Sequence, residues 1–210
     1  MPNPKISVIM ASYLGNYPGG ASNRDKKFIR AVNSFKKQTY DNKELIIVSD
    51  GCPLTVQLHG QFFSKDPNIK LVPIPKQPLY SGEMRNAGLK FAEGEIISYL
   101  DTDDVLGPNH LQIIVDQFDI EKYDWVFYND YMTLDATFKK LHLRIVEPRW
   151  ASIGTSSISH KNLKETTWAN SCGYGHDFMF ILKLAGMGLK FKKLEKMPQY
   201  IVAHYMNGDF

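Results

Sequence analysis

With two cysteines in 210 residues, Cys52 and Cys172, the chain can build neither a disulfide framework nor a four-thiolate zinc site. A reducing cytoplasm is the compartment this implies. Long apolar runs are missing as well. No stretch approaches the ~20 residues that span a bilayer, and residues 6–11, behind Met1-Pro-Asn-Pro-Lys5, lack the length and flanks of a secretion signal. Nor is there a dominant charge: 25 Lys and Arg against 22 Asp and Glu leave +3, which makes no case for a nucleic-acid partner. The basic and apolar mixture at residues 190–196 leaves room for a peripheral membrane contact, at the inner face of the membrane, although a solvated strand or helix face accounts for it as simply.

What is present is an ordinary globular composition, 43% hydrophobic and 22% charged, in a length that suits one domain over residues 1–210. Residues 6–10 have the character of a buried strand, and a polar Gly- and Asn-rich loop over residues 15–23 follows. Phe28, Val32 and Phe35 recur at helical spacing before residues 44–48 return to strand character. The alternation continues with a helix near residues 54–63, a strand at 69–73, a helix at 81–92, a strand at 95–100 and a helix opened by Pro108. Such alternation predicts a largely parallel sheet flanked by helices, an α/β class. After Tyr123 the rhythm changes: residues 125–128 and 141–146 read as strands with no long helix between them, so a smaller antiparallel addition is expected. Residues 149–170 show no period, residues 177–184 are helical, and 200–205 form a last strand.

Open α/β sheets bind ligands beyond the carboxyl ends of their strands. Three strand ends carry polar groups here: Ser12 with Tyr13, Asp50, and the run Asp101-Thr-Asp103-Asp104. Three acids in four residues repel one another, and a divalent cation with hard oxygen ligands relieves that repulsion. A polar turn capping the next helix would explain the same residues. An EF-hand does not, because its fifth ligand position falls on Val105 and its closing Glu position on Gln112. Asp50 can accept hydrogen bonds from a nucleobase or close an Asx-type turn. Arg85 and Asn86 can reach a nucleotide or hold an acidic partner.

Four blocks, residues 6–13, residues 44–51, Arg85-Asn86-Ala-Gly88 and residues 95–104, together resemble family 2 glycosyltransferases of the GT-A fold in order and spacing. The resemblance implies a Rossmann-like, mostly parallel sheet, with a nucleotide-sugar-binding half over about residues 1–110 and an acceptor-side half over about 111–210. It also implies inverting transfer of a sugar, with a UDP-sugar as the expected donor, to a hydroxyl on a glycan or lipid-linked acceptor, in polysaccharide or glycan biosynthesis. By that resemblance Ser12, Tyr13, Asp50, Arg85, Asn86, Asp101 and Thr102 bind the donor, and Asp101 and Asp103 serve a Mn2+ or Mg2+ ion. His204 is a further candidate metal ligand. The segment Trp168-Ala-Asn-Ser-Cys-Gly-Tyr-Gly-His-Asp177 resembles the stretch that carries the family's catalytic base, so Asp177 inherits that role. The family usually shows Glu-Asp there, and His176 in place of the Glu becomes a competing base. A sugar nucleotidyltransferase and a non-catalytic nucleotide-sugar-binding protein are the alternatives, and the oligomeric state is open.

Overall fold

The computed structural model describes residues 3–17, 22–76, 81–134, 137–163, 165–169 and 175–203. Among them the chain runs β1 (Ile6–Ser12), α1 (Arg24–Lys36), β2 (Lys43–Asp50), α2 (Pro53–Phe62), β3 (Ile69–Ile74), α3 (Gly82–Phe91), β4 (Ile96–Tyr99), β5 (Val105–Leu106) and α4 (His110–Gln117). It continues through β6 (Trp125–Phe127), β7 (Asp130–Met132), β8 (His142–Arg144), a 3-10 turn at Thr155–Ser157, β9 (Ile158–Lys161), α5 (His176–Gly186), β10 (Phe191–Lys193) and β11 (Tyr200–Val202).

Seven strands form the main sheet in the order β10-β6-β9-β4-β1-β2-β3, and β9 alone runs against its neighbours. The side-chain period of two divides the central strands between two cores. Val8, Met10, Leu45 and Ile47 face one layer with Phe28, Val32, Phe35, Leu111 and Ile114, while Ile9, Ile46 and Val48 face the other. Full burial of each such side chain is worth about 1.5–3 kcal/mol, so truncating one central position, such as Leu45, opens a cavity that the sheet cannot collapse to fill. Helix α3 lies close against the sheet at Gly88, where a Cβ would stand 2.5 Å from Ile9 Cγ2. That close approach fixes the height of Arg85, one turn earlier on the same helix.

The addition is a second sheet of four strands, β5-β11-β7-β8, antiparallel except for the parallel pair β11 and β7. The expected strand at 141–146 is present in the addition as β8, but the one expected beside it at 125–128 is β6 and belongs to the main sheet. There it pairs with β9 and with β10 from residues 190–196, whose Phe191 stacks on Trp125 at 4.6 Å between centroids. Strand β9 falls inside the stretch with no sequence period. It pairs on both sides, with β4 and β6, and carries only four residues.

The two ends of the sheet treat their acids differently. Below, at the start of β2, the Glu44 carboxylate is buried, accepting from Ser7 Oγ at 2.6 Å and Glu93 N–H at 2.8 Å through one oxygen and ion-paired through the other with the Lys5 and Lys70 ammonium groups at 3.3 and 2.8 Å. Above, at the carboxyl ends of the strands, Asp50, Asp101 and Asp103 line open space.

Candidate active site

A cleft of about 590 Å³ opens over the carboxyl ends of β1, β2 and β4. At one end Tyr13, Lys76 and Asp50 converge: Lys76 Nζ is ion-paired to the buried Asp50 carboxylate and lies 4.3 Å from the centre of the Tyr13 ring. An aromatic face, a cation and an acceptor in one corner suit a planar heterocycle with a polar edge. Arg24 closes the same end, donating to Tyr13 O at 2.5 Å and covering the Tyr17 ring at 4.5 Å. Its Nε and Nη1 have no hydrogen-bond partner among the described residues.

At the other end Arg85, almost fully buried, is the hub. Its Nη2 donates to Asp101 Oδ1 at 3.2 Å, its Nη1 donates to Ser81 Oγ at 2.7 Å, and Nη1 stands 3.8 Å from Asp177 Oδ1. The guanidinium plane rests over Trp168 at 4.7 Å. Trp168 is itself locked: it stacks on Phe180 at 4.1 Å, donates its indole N–H to Tyr99 Oη at 3.0 Å, and exchanges backbone bonds with the Asn86 amide at 2.7 and 3.1 Å. Arg85 is thereby held rigid between two carboxylates, which is the condition for a geometry that survives ligand binding.

Asp177 opens helix α5, whose N-terminal dipole favours a negative charge. Burial raises its carboxyl, but His176, with Nε2 2.9 Å from Oδ1, together with Arg85 outweighs that and holds Asp177 below the usual carboxylate range. It is thus ionised at neutral pH, as a proton acceptor must be. His176 also approaches Ser81 Oγ at 3.3 Å.

The acidic run divides by direction. Asp101 and Asp103 line the cleft, with Thr155 Oγ1 donating to Asp101 Oδ2 at 3.1 Å. Enclosure in the cleft pushes the Asp101 carboxyl up, Arg85 opposes this, and the charges of Asp103 and Asp177 push it further. Asp104 turns inward, accepting Tyr200 O–H and Ala203 N–H, each at 2.8 Å, and burial beside Asp103 and Asp101 lifts it well above the usual range. A divalent cation fits the observed donor set: two hard carboxylate oxygen groups under mutual repulsion, in a cleft with room for phosphate oxygens. Among the described residues no three His, Cys, Asp or Glu side chains meet at a metal-binding distance, so Asp101 and Asp103 are the share of such a shell that these residues offer.

The structure thus brings together Tyr13, Asp50, Arg85, Asp101, Thr102, Asp103, His176 and Asp177 around one space. Ser12 lines the same cleft, but its buried hydroxyl bonds Thr55 Oγ1 at 2.8 Å. Asn86 does not line the cleft, because its side-chain amide is turned to clasp the Trp168 backbone. His204 lies outside the described residues, as do residues 170–174. Lys76, Arg24, Ser81 and Thr155 were not legible as site residues. Lone polar residues in loops or at a helix start carry no spacing signal, and only the fold brings Lys76 to Asp50, Arg24 to Tyr13, Ser81 to Arg85 and Thr155 to Asp101. No described helix is long and apolar enough to cross a membrane.

Comparison with known proteins agrees with this architecture. The sequence model of glycosyl transferase family 2 matches residues 21–185. An uncharacterized glycosyltransferase of Nostoc sp. is 32% identical over 162 residues, 77% of this chain and 43% of that protein. Among solved structures, S. aureus TarS 1-349 in complex with UDP-GlcNAc superposes with a TM-score of 0.71 at 20% identity, covering 98% of this chain and 60% of that one. The mannosyltransferase PcManGT from Pyrobaculum calidifontis, in complex with GDP-Man and Mn2+, gives 0.67 at 15% identity, covering 94% and 56%. At these identities the two structures show the shared fold, that of GT-A glycosyltransferases. The chain spans less than half the length of the Nostoc relative.

Proposed function

This chain belongs to glycosyl transferase family 2, and we propose that it transfers a sugar from a nucleotide-sugar donor, with a UDP-sugar favoured, to an acceptor hydroxyl with inversion at the anomeric carbon. The UDP-GlcNAc complex of TarS supports the choice of nucleotide. The reading rests above all on one observation: Arg85 spans Asp101 and Asp177 inside a single cleft whose far end carries Tyr13, Lys76 and Asp50.

In this reading the base stacks on Tyr13 and offers its polar edge to Asp50, from which Lys76 has to swing aside or follow the ligand. The diphosphate then lies toward Asp101, Thr102 and Asp103. A divalent cation held by Asp101 and Asp103 would neutralise the charge that develops on the departing diphosphate. Arg85 adds a fixed positive charge beside the same region and needs no reorganisation to do so, since Trp168 and Ser81 already orient it. An acceptor hydroxyl is a weak nucleophile, and Asp177 takes its proton as it attacks the face opposite the leaving group. General-base assistance of this kind contributes roughly 10²–10⁴ in rate. His176 positions the Asp177 carboxylate. The acceptor is a glycan or lipid-linked hydroxyl, in the context of polysaccharide or glycan assembly.

Calorimetric titration of UDP-, GDP- and dTDP-sugars, with and without Mn2+, tests the reading. A UDP-sugar binds with Mn2+-dependent affinity, and Asp103→Ala removes the Mn2+ dependence while the protein stays folded. Equal Mn2+ enhancement in Asp103→Ala and wild type would return the acidic run to the role of a helix-capping turn.

A further inference from the structure

Asp177 lines two cavities. One is the large cleft; the other is a hollow of about 220 Å³ walled by Trp150, Ala151, Ile153, Gly175 and Phe178. The Asp177 carboxylate therefore stands where the two spaces meet, and apart from it the hollow is walled by apolar side chains and backbone.

Trp150 gives the hollow its character. Trp125 and Trp168 are 1% and 2% exposed, whereas Trp150 is 58% exposed, although its indole is held in place. Phe178 meets it edge to face at 5.8 Å and 89°. Gly175 makes room for it, because a Cβ there would stand 2.4 Å from Trp150 Cη2. The next residue, Ala151, sits in the left-handed region at φ 58°. That conformation costs a residue with a Cβ roughly 1–2 kcal/mol, and backbone strain of this kind gathers at ligand clamps. A large apolar ring held in solvent by a glycine-sized gap and a strained turn is an arranged surface.

We infer that this hollow is the acceptor subsite and that the acceptor presents a pyranose ring, its C–H face laid on the Trp150 indole and one hydroxyl directed at Asp177. The inference rests on the transferase reading above and adds the substrate class to it. A sugar ring matches the walls on both counts, since its faces are C–H and its rim is hydroxyl, while an acyl chain would offer the carboxylate nothing to bond. The size agrees: drug-sized ligands occupy about 300–1,000 Å³, and this hollow is smaller, suited to a single ring.

The test uses the intact chain with saturating UDP and Mn2+ and a panel of methyl glycosides of glucose, galactose, mannose, N-acetylglucosamine and rhamnose. The probe is the indole N–H signal of Trp150, assigned by its loss in Trp150→Phe. At least one glycoside shifts that signal saturably, with affinity at least tenfold weaker in Trp150→Ala and largely kept in Trp150→Phe, which preserves an aromatic face. Thermal melts of both variants establish that they are folded. If UDP binds and no glycoside in the panel moves the Trp150 signal, or if Trp150→Ala binds the glycoside as tightly as wild type, the subsite is refuted while the transferase reading stands. A glycoside that shifts Trp150 in a protein that binds no nucleotide would support the subsite and reject the donor reading.

Discussion

Partners, more than residue type, separate the aspartates of the cleft. Asp104 is saturated by two donors and turned inward, Asp50 is shielded by Lys76, and Asp101 and Asp177 share the two sides of Arg85. For Asp50 this assigns a consequence that a turn residue would not have. Asp50→Ala should lower UDP affinity by about 1.5–3 kcal/mol, the worth of a hydrogen bond to a charged acceptor, with or without Mn2+. Stability should change by less than about 1 kcal/mol, since the Lys76 partner is half exposed. Calorimetric titration beside a thermal melt separates the two effects, and a fall in melting temperature with unchanged UDP affinity would make Asp50 structural. At this scale the sequence was informative where chemistry follows a strand directly: Asp50, Asp101 and Asp103 sit where apolar runs stop. It was silent on direction. Nothing local distinguishes Asp104 from Asp103, because what turns Asp104 inward is Tyr200, 96 positions away in the chain. Asn86 was misleading for the same reason, its partner Trp168 being 82 positions away.

Among the elements, β11 does the most to shape the site from a distance. Tyr200 Oη accepts the Asp101 N–H at 3.1 Å and donates to Asp104, so this strand sets the backbone of the whole acidic loop. Tyr200→Phe removes both bonds and leaves a buried carboxyl one donor short. The expected loss is about 1–3 kcal/mol in stability, together with a weaker response of nucleotide binding to Mn2+. Denaturant unfolding and titration check the two parts, and a variant with wild-type Mn2+ response would uncouple β11 from the loop. The elements that were legible are those with their own signal: β1 and β2 run over seven and eight residues, the helices between them repeat over several turns, and β4, though only four residues, lies in the apolar run 96–100. Strands β5 and β9 have two and four residues, too few for a pattern, and β9 is rich in polar residues. Its strand conformation is imposed by pairing with β4 and β6.

The whole molecule should be acid-sensitive in a window that carboxylates alone do not explain. Burial pushes His110 down to about 3 and His160 down to about 4, from 6.5. Below about pH 6.5 the unfolded chain therefore binds protons that the folded chain refuses, and stability falls as the pH drops toward those folded values, by up to about 1.4 kcal/mol per pH unit for each histidine. Glu44 and Asp177, held low, add their losses only below the usual carboxylate range, while the raised Asp104 works in the opposite sense. His110 isolates the effect. Both its ring nitrogens are buried without a partner among the described residues, and its ring packs edge-on against Tyr128 and Tyr200. His110→Phe keeps the ring contacts, so its unfolding free energy should decline less steeply than wild type between about pH 6.5 and 5. Equal slopes would mean that His110 is not the source.

The central claim is that one cleft binds a sugar nucleotide and that Asp177, at its edge, takes the acceptor proton. The most direct measurement compares Asp177→Asn with wild type for UDP-sugar affinity and for sugar transfer. The amide keeps the shape and cannot accept the proton, so affinity should stay within about threefold while transfer falls by roughly 10²–10⁴. Transfer at the wild-type rate in Asp177→Asn, with its loss in His176→Ala, would contradict the account and make the histidine the base.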